Sequence, residues 1–402
     1  MNFKGTRMRI RSWVLALLAV MPVIVFNSCS TANNGTTSGT GFMWVATKGD
    51  QLVSSFTIDL SNGAVSSVRS SVSTGPQPTA AALTPDGKTL FVSNLGDSTI
   101  AVYTVNQSDG TLTVPCASSQ PKCAIVTFPA GATPVAMTID PSGSLLFVAN
   151  QGNSGALGQP GTVPGTISVF SIANLSQPPL IFPTALSGDV TGNGPTGLAI
   201  PISGSYLYVA DQFSSVVAVY SYDSSGNLTL INSYPVAANP SALAFSRTVA
   251  NSNRDNFLFV SNTGANQVSV FSACVAVTLN CGAPTGVLSQ ISAPFSAPTG
   301  PGPILVDPAF DWAYVIEQTS FQVSEFAFAP ATGALSALSP ATISTGVGPV
   351  SGGITSDGNW AFIANSGQSN LSAFAVGATG KLSPANTSTV ILANQPSAIV
   401  VR

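Results

Sequence analysis

One pattern recurs seven times along this chain, and it limits the fold more than any other feature. It is an aromatic-rich strand ending in a small or polar residue. The copies are FMWVAT (Phe42 to Thr47), TLFVSN (Thr89 to Asn94), LLFVAN (Leu145 to Asn150), YLYVAD (Tyr206 to Asp211), FLFVSN (Phe257 to Asn262), WAYVIE (Trp312 to Glu317) and WAFIAN (Trp360 to Asn365). A polar turn follows each copy, then a second strand with an aromatic near its middle: Phe56, Tyr103, Phe170, Tyr220, Phe271, Phe326 or Phe374. A Gly/Pro loop and a small-residue strand precede each copy. The prolines read from that element are Pro78, Pro134, Pro195, Pro240, Pro303, Pro349 and Pro396. The step from Pro78 to Asn94 is 16 residues, and it is the same from Pro134 to Asn150, Pro195 to Asp211 and Pro349 to Asn365. A weaker apolar run, such as Ala124 to Phe128 or Leu228 to Ile231, completes the unit as an outer strand.

A repeat of roughly 50 residues with four short strands is the size of one propeller blade. The strand types fit that reading. Inner strands of a blade are covered on both faces, so they read as continuous apolar runs. The innermost strand lies where blades converge and needs small side chains, as Ala80, Ala81 and Ala82 or Gly352 and Gly353 supply. The predicted fold is therefore all-β, a seven-bladed propeller with four strands per blade. Its ordered part begins at Phe42 with the second strand of a blade and ends on an isolated first-strand unit, Asn394 to Arg402. That last strand is expected to pair into the first blade and close the ring, because open sheet edges are a liability.

The N-terminus reads as a targeting segment. Lys4, Arg7, Arg9 and Arg11 precede an apolar stretch from Trp13 to Phe26, which is short for a membrane span. Ser28-Cys29 then resembles a bacterial lipoprotein cleavage site, with Cys29 as the lipidated residue. The expected organisation is a signal segment over 1–29, a Ser/Thr/Asn/Gly tether over 30–41 and the propeller over 42–402. Localisation in the cell envelope, with a membrane contact through the lipid, follows from that reading. Removal of the leader leaves eight of the 12 basic residues against all 15 acidic ones, with no basic cluster, so no nucleic-acid partner is expected. Export permits disulfides. Sequence proximity favours the local pairs Cys116–Cys123 and Cys274–Cys281. With no His in the chain, no metal site and no cofactor are expected.

Chemistry is harder to place. The absence of His excludes His-based triads and HExxH metal sites. Gly87-Lys88-Thr89 is a turn and not a phosphate loop, and Asp189 to Gly194 lacks the distal Glu of a calcium loop. Asp86, Asp140 and Asp357 belong to turns on the face opposite the expected site. In a blade, loops entering the first strand and leaving the second share one face. The residues ending the second strands therefore form a candidate ring at the channel mouth: Thr47, Asn94, Asn150, Asp211, Asn262, Glu317 and Asn365. Asp211 and Glu317 could supply carboxylates there; alternatively, such side chains satisfy local backbone groups. The Gly/Pro-rich insertion Gln151 to Gly165 is either a flap over that mouth or a surface loop.

The LFVSN, LLFVAN and YLYVAD strands, with TIAVYTVN-like strands and PDG turns, resemble YVTN-type repeats. They also resemble the lactonase-like seven-bladed propellers, which include 6-phosphogluconolactonase-type enzymes, and the resemblance runs from about Phe42 to Arg402. It implies the fold; such repeats encode blades and not a reaction. Two functions follow as expectations. The first is a monomeric, membrane-tethered binding or scaffold module that takes a protein, small-molecule or carbohydrate ligand at the channel mouth. The alternative is a lactonase-like hydrolase acting on a lactone or sugar derivative.

Overall fold

A computed structural model describes residues 39–114, 126–127, 133–152, 164–172, 181–184, 194–246, 256–275, 281, 284–308 and 311–402. They form seven antiparallel sheets, the blades of a propeller. The second strands are Thr40–Thr47, Thr89–Asn94, Leu145–Asn150, Tyr206–Asp211, Asn256–Asn262, Trp312–Glu317 and Trp360–Asn365, in blades 1 to 7. The first strands of blades 2 to 7 are Pro78–Leu83, Pro134–Ile139, Pro195–Ala199, Pro240–Phe245, Pro301–Val306 and Pro349–Ile354. Blade 1 takes its first strand from Pro396–Val401, which pairs Met43 with Val401, Trp44 with Val400 and Val45 with Ile399. Phe42 and Arg402 exchange both backbone hydrogen bonds at 2.9 Å. The expected closure of the ring is thus present.

Two details differ from the sequence reading. The fourth strand is broken in two in blades 1, 2 and 5, so those sheets have five members. In blade 1 the pieces are Ala64–Val65 and Ser70–Ser73. The proline that opens the first strand of blade 6 is Pro301, not Pro303, since Pro301 pairs with Glu317. Both prolines lie in the strand Pro301–Val306, and register, not proline content, selects between them.

The core lies between blades. Every residue of the second strands TLFVSN and LLFVAN is buried, as strands covered on both faces require. Neighbouring blades are also keyed together on the lower face, where first strands turn into second and third into fourth. In several third-to-fourth turns a glycine adopts a left-handed φ, between 67° and 77° at Gly63, Gly110, Gly286, Gly333 and Gly380. Over each lies the bulky residue that starts the preceding blade's second strand, or the residue just inside it. Phe42 covers Gly110, Trp312 covers Gly380, and Trp360 covers Gly63 across the seam between blades 7 and 1. A Cβ at Gly63 would overlap the Trp360 ring, so this turn needs glycine for space as well as for φ. Polar tips complete the latch: Trp44 Nε1 donates to Gly110 O at 2.9 Å, Tyr208 Oη to Gly286 O at 2.7 Å and Tyr314 Oη to Gly380 O at 2.7 Å.

Cys274 and Cys281 form the expected disulfide, with Cα atoms 5.3 Å apart. It follows the third strand of blade 5, Gln267–Ala273. Cys29, Cys116 and Cys123 lie outside the described residues, as does most of the Gln151 to Gly165 insertion.

Candidate functional site: the two ends of the channel

The seven residues of the candidate ring do share one level of the propeller, each ending a second strand beside the buried proline that opens a first strand. Their side chains, however, are buried in the blades. Thr47 is the most accessible of them at 4%, and Asn94, Asn262, Glu317 and Asn365 are at 0%. The amides bond mainly to hydroxyls of the third strand. Asn150 Nδ2 donates to Ser168 Oγ at 2.9 Å, Asn262 Nδ2 to Ser269 Oγ at 2.9 Å and Asn365 Nδ2 to Ser372 Oγ at 2.9 Å. Asn94 Nδ2 donates to Thr99 Oγ1 at 3.1 Å. Thr47 donates its hydroxyl to Asp50. Asp211 and Glu317 sit in blades 4 and 6 with blade 5 between them, so they do not form a carboxylate pair. Burial pushes the Glu317 carboxyl up to about 7, and the hydrogen bond from Ser324 Oγ at 3.0 Å pulls only weakly the other way.

The next residue along each strand reaches the channel end. Its N–H donates to the carbonyl of the residue before the opening proline in all seven blades, at 2.8–3.0 Å: Lys48 to Gln395, Leu95 to Gln77, Gln151 to Thr133, Gln212 to Gly194, Thr263 to Asn239, Gln318 to Gly300 and Ser366 to Gly348. These clasps hold the upper rim. Side chains then bridge from blade to blade. Gln151 Nε2 donates to Gln212 Oε1 at 2.9 Å, Thr263 Oγ1 to Pro301 O at 2.6 Å, and Thr79 Oγ1 to Pro134 O at 2.7 Å. Gln318 packs against Gly302 at the start of the blade 6 first strand. The upper rim is therefore rich in neutral amides and hydroxyls. Among the described residues of its loops, the charged side chains are Lys48, Asp50 and Asp97, all on the adjacent blades 1 and 2. Lys48 and Asp97 are exposed, and Asp97 Oδ1 accepts from Thr99 Oγ1 at 2.7 Å.

The lower end of the channel differs. There the first strands of blades 1, 2, 3, 6 and 7 enclose an open cavity of about 680 Å³. Leu83, Met137, Ile139, Val306, Ile354 and Ile399 give it apolar walls. The sequence-based expectation passed over this face because its Asp residues belong to turns, and in the structure they do. Asp86 accepts from Thr84 Oγ1 at 2.7 Å and from Lys88 N at 3.0 Å, while Asp140 accepts from Leu145 N at 2.7 Å. Asp357 accepts from Asn359 N at 3.1 Å. Among the described residues, no cluster of three or more His, Cys, Asp or Glu is arranged to hold a metal ion.

Seven antiparallel sheets closed into a ring define a seven-bladed β-propeller. The chain belongs to the family described as Lactonase, 7-bladed beta-propeller, which matches residues 34–128 and 166–280. No curated protein sequence matches it. Solved structures share the fold. A candidate 6-phosphogluconolactonase from Bacteroides fragilis is 18% identical, with a TM-score of 0.70 over 92% of this chain and 99% of that one. A periplasmic gluconolactonase from Pseudomonas aeruginosa is 19% identical, with a TM-score of 0.69 over 90% and 99%. A protein from Lactobacillus plantarum is 17% identical, with a TM-score of 0.69 over 90% and 100%.

Proposed function

We propose that this protein is a lactonase-like hydrolase that opens a non-phosphorylated sugar lactone at the upper rim. The observation that carries the reading is the family match, which covers blades 1 and 2, where the rim's charged sector lies. The rim's chemistry supports the choice of substrate. Amides and hydroxyls suit sugar hydroxyl groups, which both donate and accept. A phosphate ester is poorly served, because Lys48 is the sole cation among the described upper-loop residues and shares the rim with two carboxylates, Asp50 and Asp97. In this reading Asp97 takes a proton from water as the water oxygen bonds to the lactone carbonyl carbon. Lys48 stabilises the oxyanion that forms. The ring C–O bond then breaks, and the departing oxygen takes up the proton to leave a hydroxy acid.

The test is acid release from glucono-δ-lactone, followed at constant pH and corrected for spontaneous opening. Catalysed release is expected, with 6-phosphogluconolactone the poorer substrate. Asp97→Asn and Lys48→Ala should each slow it by about a hundredfold. A variant rate equal to that of the unmodified protein overturns these roles. The bridged amides Gln151 and Gln212 favour a second reading, a carbohydrate-binding module without turnover; saturable sugar binding with no acid release would select it. Anchoring through Cys29 is part of the same proposal. Cys29→Ala should move the protein from membrane to soluble fractions, and unchanged membrane retention and processing would exclude lipidation.

A further inference from the structure

The lower cavity and its rim hold a feature that lactone opening at the upper rim does not use. Its walls are apolar side chains from five blades, and Arg402 is the one charged residue that lines it. The guanidinium is held in place. Arg402 exchanges backbone hydrogen bonds with Phe42, and its Nη1 donates to Gln107 Oε1 at 2.6 Å. Gln107 is itself fixed, since its Nε2 donates to Gly87 O at 2.7 Å and to Val105 O at 3.3 Å. Gly87 makes the approach possible: a Cβ there would overlap the guanidinium. The orienting partner is thus a neutral amide. Among the described residues no side-chain carboxylate pairs with Arg402. Nearby acids are engaged in their own turns, with Asp86 on Thr84 and Lys88 and Asp357 on Thr355 and Asn359. None of these acids lines the cavity. Thr84, Thr138 and Ser356 supply the polar side chains of the lining besides Arg402.

We propose that the lower cavity binds a small amphipathic carboxylate, its apolar body in the neck between blades and its anionic head on the Arg402 guanidinium. A volume of about 680 Å³ falls among those of small-molecule sites, which combine apolar walls with a few placed polar groups. A planar guanidinium matches a carboxylate through two parallel hydrogen bonds. The apolar neck gives no reason to exclude water for a head group alone, so both parts of the ligand are needed. The site lies at the opposite end of the channel from the lactone reading and does not depend on it.

Titration calorimetry of the full chain with octanoate tests the proposal, with acetate and 1-octanol as probes lacking the body or the charge. Saturable one-to-one octanoate binding is expected, with both controls at least about tenfold weaker. Arg402→Gln should weaken octanoate by about tenfold and leave 1-octanol unchanged. Ser356 is an exposed turn residue, so Ser356→Asp keeps the fold while adding a like charge at the rim, and it should weaken octanoate too. Failure of octanoate to saturate, equal binding of octanoate and 1-octanol, or full-strength binding by Arg402→Gln would each overturn the proposal. Lactone opening measured on the same variants stays at the unmodified rate, which separates this site from the upper rim.

Discussion

Blades 6 and 7 are built on one register, yet they fill three equivalent buried positions with different chemistry. Asp307, Glu317 and Glu325 in blade 6 correspond to Thr355, Asn365 and Ala373 in blade 7, and all six are at 0% exposure. The backbone does not register the change: Asp307 N donates to Trp312 O and Thr355 N to Trp360 O, both at 2.9 Å. Blade 7 places neutral side chains at all three positions and satisfies them from within, Asn365 on Ser372 and Thr355 on the turn residue Asp357. Blade 6 must partner each carboxylate, and it does so unevenly. Glu325 Oε2 accepts from Leu382 N at 3.0 Å and from the Lys381 ammonium at 2.8 Å, both from blade 7. Glu317 has Ser324 on one oxygen, and its other oxygen is buried without a hydrogen-bond partner. The lesson is that a blade template tolerates buried charge where a neighbour supplies the counter-charge, and becomes sensitive to protons where none does.

The sharpest way to break this comparison is to remove the counter-charge. Lys381→Met should destabilise the fold by about 3–5 kcal/mol, the usual cost of orphaning a buried carboxylate. Adding Glu325→Ala, which gives blade 6 the residue of blade 7, should restore most of the loss. Urea midpoints of the two variants decide it; a double variant no better than the single one would disprove the pairing.

Next in size is the effect of pH on Glu317. Its folded carboxyl titrates near 7 against an ordinary 4.5. The folded chain therefore keeps a proton that the unfolded chain has already lost. The stability this proton confers is present below the ordinary value and drains away as pH rises to about 7, by roughly 3 kcal/mol at most. Glu317→Gln installs a neutral amide side chain, as Asn365 does in blade 7. Its stability should be flat over that window and exceed that of the unmodified protein at pH 8. Parallel pH profiles would disprove the assignment.

Smaller effects extend the comparison to neighbouring blades. Blade 5 clips its third-to-fourth connection with Cys274–Cys281, whereas blade 6 turns there through Ala329 and Gly333 without a bridge. Replacing both cysteines by Ala should cost about 2.5 kcal/mol on the loop-entropy scale, read from thermal unfolding. Trp360→Phe keeps the ring over Gly63 but deletes the 2.9 Å hydrogen bond to Leu60 O, which should cost about 1 kcal/mol.

Blade number, strand order and closure were legible because they rest on spacing, and spacing survives substitution. What spacing leaves open is side-chain direction. Asn94 or Glu317 at the end of a strand reads equally well as a rim residue or an internal one. The decision rests with a hydroxyl on the third strand, such as Ser324 or Ser372, whose pairing is fixed by register. The residues that follow vary from blade to blade, with Gln at 151, 212 and 318 but Lys48, Leu95, Thr263 and Ser366 at the equivalent positions, so the repeat does not single them out. Arg402 is not marked by the repeat for a further reason: Gly87 and Gln107, which position it, are roughly 300 residues away along the chain.

That separation reaches its extreme where Trp44 meets Val400. A chain must bring together two points some 356 positions apart, where an ordinary blade joins residues fewer than 50 apart. Closure entropy grows only with the logarithm of length, so the wider loop adds roughly 2 kcal/mol. The thermodynamic penalty is that of a single lost side-chain contact or two. Time carries the larger consequence, since contacts between remote segments slow folding. Until its last strand arrives, blade 1 presents the backbone of Thr40–Thr47 as an unpaired edge, open to any other strand with a matching register. A synthetic peptide spanning Pro396–Val401 would compete for that edge during refolding, and not after it.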